Sequence, residues 1–261
     1  MTKRAWAVSA LLLAVLSIGA CGTPRVPVGE ADYSAVPSPA MMPTANDFVS
    51  AVMHTRDLGS ADVDITVDTS LNDSTNHVEG IGSVAFGRGF GNIAWTGADG
   101  TTRVINNDVG IYVRDDVARD RWTQFPEDQF NPRTAFANPL AGLGLLQDVV
   151  SADAEAIDGS HATRYTGRLP ADRQALSAFG LTDDEITRLG DTSRAPDIDV
   201  TAWVDDADRL LRVDRAFRLP AEASISADLR VSTALSDFSG VIDVGPPPSE
   251  SVTSASASAN S

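Results

Sequence analysis

The stretch ADVDITVDTS, residues 61–70, alternates apolar and polar positions without a break. Val63, Ile65, Val67 and Thr69 fall on one side, and Asp62, Asp64, Thr66 and Asp68 on the other. A period of two is the signature of a strand buried on one face and solvated on the other. A sheet built from such strands has one apolar face that must be covered. That requirement limits the chain to a few architectures.

The pattern recurs. HVEGIGSVAFG, FGNIAWTG and TTRVIN follow as strands joined by Gly- and Asn-rich turns. VGIYVRD places Val109, Ile111 and Val113 on one face, and RWTQF completes a hairpin with it. Further along, HATRYTGRLP is a strand. DIDVTAWVDDADRLLRVDRAFRLP is a long hairpin turning at Asp205–Asp208, and ASISADLRVSTALSDF is the last strand. Strands and helices do not alternate regularly, so the sheet is expected to be antiparallel.

Helices are fewer. DFVSAVMHTRDL carries Phe48, Val49, Val52 and Met53 on one face, with Thr44 and Asp47 at capping-box spacing before it. Two short helices are expected at ADRQALSAF and TDDEITRLG, the second with Thr182 and Glu185 as a capping box. NPLAGLGLLQDVV, residues 138–150, also has helical length, with Asn138 as cap and Pro139 at the first helical position. Its apolar residues, Leu140, Ala141, Leu143, Leu145, Leu146, Val149 and Val150, would wrap most of a helix. Such a helix is either buried between sheet and loops or lines a lipid cavity. In the second case Leu140, Leu143, Leu146 and Val150 form the lining face.

The ends of the chain are different in kind. Lys3 and Arg4 precede an uncharged run from Ala5 to Ala20. The run is short of the ~20 apolar residues of a spanning helix and fits a secretory signal. It ends in Ile18, Gly19, Ala20 and Cys21, a bacterial lipobox containing the chain's one cysteine. Residues 1–20 are thus a signal peptide, and Cys21 is the site of lipid attachment and the first mature residue. Residues 21–43, rich in Pro, Gly, Ala and Ser, form a flexible tether. The folded domain covers 44–245. GPPPSESVTSASASANS closes the chain, with 246–261 as a disordered low-complexity tail unable to build a core. The protein is placed at the cell membrane, lipid-anchored on the extracytoplasmic face.

Composition narrows the chemistry. A net charge of −16 over 261 residues repels nucleic acid. One cysteine cannot make an internal disulfide or a thiolate-rich zinc site. His54, His77 and His161 have no neighbours at ligand spacing and are expected on the surface. There is no HExxH and no G-x-S-x-G. GADG and GRGFG read as hairpin turns, not phosphate loops. Asp205, Asp206 and Asp208 lack the glycine and the terminal glutamate of a calcium loop and read as a solvated turn. No catalytic residue, metal or cofactor is assigned, and the chain is read as a non-enzyme.

Four stretches carry a family resemblance. AIDGSHATRYTGRLP (156–170), DVTAWVDDADRLLRVDRAF (199–217), RVINNDVGIYVRDDVARDRW (103–122) and NPLAGLGLL (138–146), together with the lipobox, resemble the LppX/LprA/LprF/LprG lipoproteins of mycobacteria. The resemblance implies an α+β, LolA-like fold, a curved antiparallel half-barrel with helices against its concave face. It also implies a hydrophobic cavity binding a lipid or glycolipid for transport across the envelope. The implied partners are that ligand, the membrane through the N-terminal anchor, and an envelope transporter or regulator. The alternative is an envelope-stress sensing or regulatory lipoprotein that binds a partner protein.

Two acyl-anchoring signals hold a protein on a membrane stably, whereas one is marginal. A Cys21→Ser chain is therefore expected to fold normally and to leave the membrane fraction. Membrane association of the fully processed variant, measured by fractionation, would refute the anchor.

Overall fold

The computed structural model describes residues 41–71, 74–87, 90–115, 121–125, 138–157, 159–170, 197–219, 227–239, 242 and 244–254. The signal peptide, Cys21, the tether up to residue 40, and the two short helices expected at 171–179 and 182–189 lie outside the described residues.

The described chain begins with helix α1, Met41–Asp57. Its buried stripe is Phe48, Ala51, Val52 and Thr55, spaced i, i+3, i+4 and i+7. Met53, expected on this face, is 48% exposed. The small and polar members, Ala51 and Thr55, complete the stripe that Met53 does not join. The helix also starts earlier than expected. Thr44 and Asp47 lie inside it, so their capping-box spacing does not mark its start. At the other end Gly59 sits at φ 91 and donates to the Arg56 carbonyl, which ends the helix.

Twelve strands follow. They are β1 Ser60–Leu71, β2 Ser74–Ala85, β3 Phe90–Gly97, β4 Gly100–Asn106, β5 Ile111–Asp115, β6 Trp122–Phe125, β7 Gln147–Ile157, β8 Ser160–Leu169, β9 Ile198–Asp205, β10 Leu210–Leu219, β11 Ala227–Ser239 and β12 Val252–Ser254. They form one sheet in the order β12-β6-β5-β4-β3-β2-β1-β11-β10-β9-β8-β7. Every neighbouring pair is antiparallel except β12 with β6. The two outermost strands do not pair, so the sheet is open. Open twisted sheets of more than about ten strands curl, split or flatten. This one has twelve strands among the described residues, with α1 packed against β7 and β10 on one face, the inner one. The α+β architecture expected from the sequence is the one formed.

The alternation of β1 holds. Ala61, Val63, Ile65, Val67 and Thr69 are buried, and Asp62, Asp64 and Asp68 are exposed. One apolar cluster runs over the inner face from Ile93 and Trp95 on β3 to Val149 on β7, and it includes Phe48, Ala51 and Val52 of α1. Two glycines of β2 meet β3 at close range, Gly80 at the Trp95 ring and Gly82 at the backbone. Gly80 faces Trp95 across the strand pair, and a Cβ there would lie 2.7 Å from the indole. A Cβ on Gly82 would lie 2.0 Å from the Asn92 carbonyl oxygen.

Residues 138–150 are not a helix. Asn138 accepts from the Leu140 N–H through Oδ1, and four i→i+3 hydrogen bonds follow, ending at Leu146. Only Leu143–Leu145 form a 3-10 turn, and β7 begins at Gln147. Gly142 at φ 75 breaks any α-helical path. Gly142 and Gly144 each lower helix propensity by about 1 kcal/mol relative to alanine. The β-branched pair Val149–Val150 then enters the sheet. Apolar residues that would have wrapped a helix are instead shared between a strap over the sheet, residues 138–146, and an edge strand.

The low-complexity tail is likewise corrected over part of its length. Val252–Ser254 pair in parallel with Trp122–Gln124. Val252 and Val244 pack on a second small core of Ile105, Tyr112 and Trp122 on the opposite face of the sheet. Asn107 anchors this segment by donating from Nδ2 to the Val244 carbonyl at 3.0 Å. The segment covers an apolar patch and occupies the edge of β6, which would otherwise offer free backbone groups. A chain ending at Gly245 is expected to lose about 1 kcal/mol, the value of one half-buried valine, and to bind hydrophobic dyes at the exposed Trp122. Unchanged urea unfolding and dye binding would show that 246–254 is passive.

Candidate functional site

The interior between α1, the strap and the inner sheet face is where the chain concentrates apolar surface. Leu140 is 8% exposed and Leu143 is 1% exposed, and both belong to the main cluster. Leu146 is partly buried against the same cluster. Val150 is 45% exposed. It follows Val149 on β7, whose side chain is buried, so Val150 points to the opposite face. The structure thus brings Leu140, Leu143 and Leu146 together and separates Val150 from them.

Polar ties join the covering pieces to the sheet at Thr55 and Arg215. Thr55 of α1 is wholly buried. Its hydroxyl donates to the Ala51 carbonyl at 2.9 Å and accepts from the Leu210 N–H at 2.9 Å. Phe48 meets Tyr165 of β8 with ring centroids 5.3 Å apart. Burial pushes the Tyr165 phenol above its usual range, and Asp47 and Asp208 add to this.

The strap is tied by Arg215. This residue lies on β10 between Val213 and Phe217, and it pairs with Val200 of β9 and Val231 of β11. It is 2% exposed. Its Nη2 donates to the Pro139 carbonyl at 2.6 Å and to the Ala141 carbonyl at 3.2 Å. Burial lowers its pKa to about 10, against the opposing effect of Asp214, so it stays charged at neutral pH. The sequence held a signal for it. In LRVDRAF the inner-facing positions are Val213, Arg215 and Phe217, and an arginine in such a row is a buried charge.

The outer face is polar. Glu155 accepts from the Trp203 indole N–H, Arg212 stacks over Trp203 at 5.2 Å, and Arg168 pairs with Asp148. Two open depressions lie here. One of about 380 Å³ is lined by Asp62, Asp64, Ile81, Ser83 and Ser236 among others, and one of about 340 Å³ by Asp148, Arg168 and Asp199 among others. Both are open to solvent and lined by polar and apolar groups together. Among the described residues no group of three or more His, Cys, Asp or Glu could hold a metal. Among the same residues no helix is long and apolar enough to cross a membrane.

No protein-family profile and no curated protein matches this chain. Solved structures do. LprF from Mycobacterium bovis aligns over 81% of this chain and 98% of its own, at 15% identity and a TM-score of 0.49. The Mycobacterium tuberculosis lipoprotein LppX aligns over 80% and 100%, at 15% identity and a TM-score of 0.47. The chain is similar to mycobacterial lipoproteins of the kind its sequence resembles. A LolA superfamily protein from Nitrosomonas europaea aligns over 72% and 93%, at 10% identity and a TM-score of 0.30.

The histidines lie at the surface. His54 is exposed on α1, and His161 meets Asp206 at 3.2 Å. His77 bridges Asp68 at 2.7 Å and Glu79 at 3.3 Å, and these hydrogen bonds raise its pKa. Of the acidic run, Asp205 is not solvated as expected. It is buried at the turn between β9 and β10, where Asp208 adopts φ 58. Burial disfavours its charge. Bonds from the Arg209 side chain and from the Arg209 and Ala207 N–H groups outweigh that effect and hold its pKa below the usual carboxylate range. A depressed folded pKa stabilises the fold above the unfolded value of about 3.9, and this is lost as pH falls through the folded pKa. Asp205→Asn is expected to cost about 1–3 kcal/mol at pH 7. The gap to the wild type should narrow as pH falls through the lowered folded pKa of Asp205. A gap independent of pH, in thermal unfolding followed from pH 7 to pH 2, would contradict this.

Proposed function

We propose that this chain is an extracytoplasmic lipoprotein, anchored to the membrane through Cys21, whose interior holds the acyl chains of a lipid or glycolipid for passage across the envelope. The observation that carries the reading is how the apolar face is covered. A continuous apolar surface spans β3 to β7, and the pieces laid over it are not woven into the sheet. Helix α1 and the strap are attached by packing and by polar ties at Thr55 and Arg215. Separately attached pieces can part from the sheet without breaking its ladder.

Acyl chains need no strong polar grip, since burying each CH₂ is worth about 0.8 kcal/mol. Leu140, Leu143 and Leu146 are the proposed lining residues, and Val150 takes no part. The lipobox supports the location, because a diacylated Cys21 holds the domain within reach of the lipids it would carry. A non-enzymatic role is proposed on the same grounds: the interior is lined by hydrocarbon side chains.

Organic extraction of protein purified from its own membranes, followed by mass spectrometry, tests this. One lipid per chain, beyond the acyl groups on Cys21, is the expected result. A Cys21→Ser protein recovered in soluble form should carry the same lipid. Absence of lipid in both preparations would overturn the carrier reading. A stoichiometric protein partner recovered in its place would favour the sensing alternative.

A further inference from the structure

Asp64, Ile81, Ala94 and Arg103 form one row across the outer face. Each lies directly opposite the next, on β1, β2, β3 and β4 in turn, and residues directly opposite one another point to the same side of a sheet. Ile81 is 63% exposed, the most exposed large apolar side chain among the described residues. Asp64 and Arg103 are both exposed, and among the described residues neither has an ion pair or a hydrogen bond. Three strand spacings, about 14 Å, keep them apart within one chain. A lone isoleucine on a surface needs no explanation. Here the isoleucine sits in a row that reads acid, large apolar, small apolar, base. Such a row is its own complement when reversed.

We propose that this row is the centre of an interface with a second copy of the chain, in which the two outer faces pack on one another about a two-fold axis. A closed two-copy contact uses the same patch on both sides. With the axis parallel to the strands, between β2 and β3, each row meets the other in reverse order. Asp64 then faces Arg103 of the second copy, and Arg103 faces its Asp64. Ile81 faces Ala94 of the second copy, a large side chain over a small one. The strands of the two sheets run nearly aligned, as stacked sheets commonly do. With the axis across the strands, Asp64 would face Asp64 and Arg103 would face Arg103. The charges therefore select the first arrangement.

The adjacent row agrees. Thr66, Glu79, Thr96 and Thr101 are also opposite one another in turn. The same reversal sets Glu79 over Thr96 and Thr66 over Thr101, so no carboxylate meets another. On the other side the C-terminal segment, packed on Ile105, Tyr112 and Trp122, bounds the contact. A net charge of −16 repels a second copy at long range, but interactions beyond about 8 Å are largely screened at physiological ionic strength. The two Asp64–Arg103 pairs act at contact. This interface uses only the outer face and is independent of the carrier reading, which concerns the inner one.

The test is sedimentation of the whole processed chain, kept soluble by Cys21→Ser, over a range of concentrations. A reversible dimer that weakens as salt is raised is expected. Asp64→Arg and Arg103→Asp should each weaken it by about tenfold, since symmetry makes every exchange act twice. The double variant carrying both exchanges should regain the wild-type dimer, because its row is again self-complementary with the signs reversed. Ile81→Ser should weaken the dimer and leave its salt dependence unchanged. All these positions are exposed, and unchanged thermal unfolding of the diluted monomers would show that the fold is kept. A wild type that stays monomeric at about 1 mM, too weak for a specific contact, would overturn the inference. A dimer indifferent to both single exchanges, or a double variant no stronger than either single one, would do the same.

Discussion

A twelve-stranded sheet with one apolar face has to cover that face, and most of the structure is arranged around this requirement. Burial of the odd-numbered positions of β1, the glycine that meets the Trp95 ring, and the packing of α1 all serve it. The cover is assembled from discrete pieces, and the sheet itself keeps an unbroken ladder from β12 to β7.

The two faces divide the work. The outer face carries the Asp62–Asp64–Asp68 row, the Arg168–Asp148 pair and the Glu155–Trp203–Arg212 stack, and these keep it solvated. Where the outer face does become apolar, at Ile105, Tyr112 and Trp122, the C-terminal segment returns to cover it. Among the described residues the inner face is largely apolar, and Arg215 is set in it beneath the strap.

The elements most legible in the sequence were those with a strict period. The hairpin turning at Asp205–Asp208 formed as expected because alternation fixes both register and facing. Helix α1 was legible in place but not in its buried stripe, since Ala51 and Thr55 carry little hydrophobic signal. The strap misled because Leu and Ala are strong helix formers, while the left-handed Gly142 acts only through backbone geometry. Val252 could not be placed at all. Three residues of β12 have no period to read, and their partner on β6 is well over a hundred residues away.

The sequence by itself determined the strand faces and the antiparallel class, because each follows from a local pattern. Tertiary structure decided which strands lie side by side, that residues 138–146 form a strap, and that Arg215 reaches the carbonyls of Pro139 and Ala141. The physical reason is separation along the chain. Alternation tells a strand which side to bury, but only the closing of the sheet brings residues 139 and 215 to hydrogen-bonding distance.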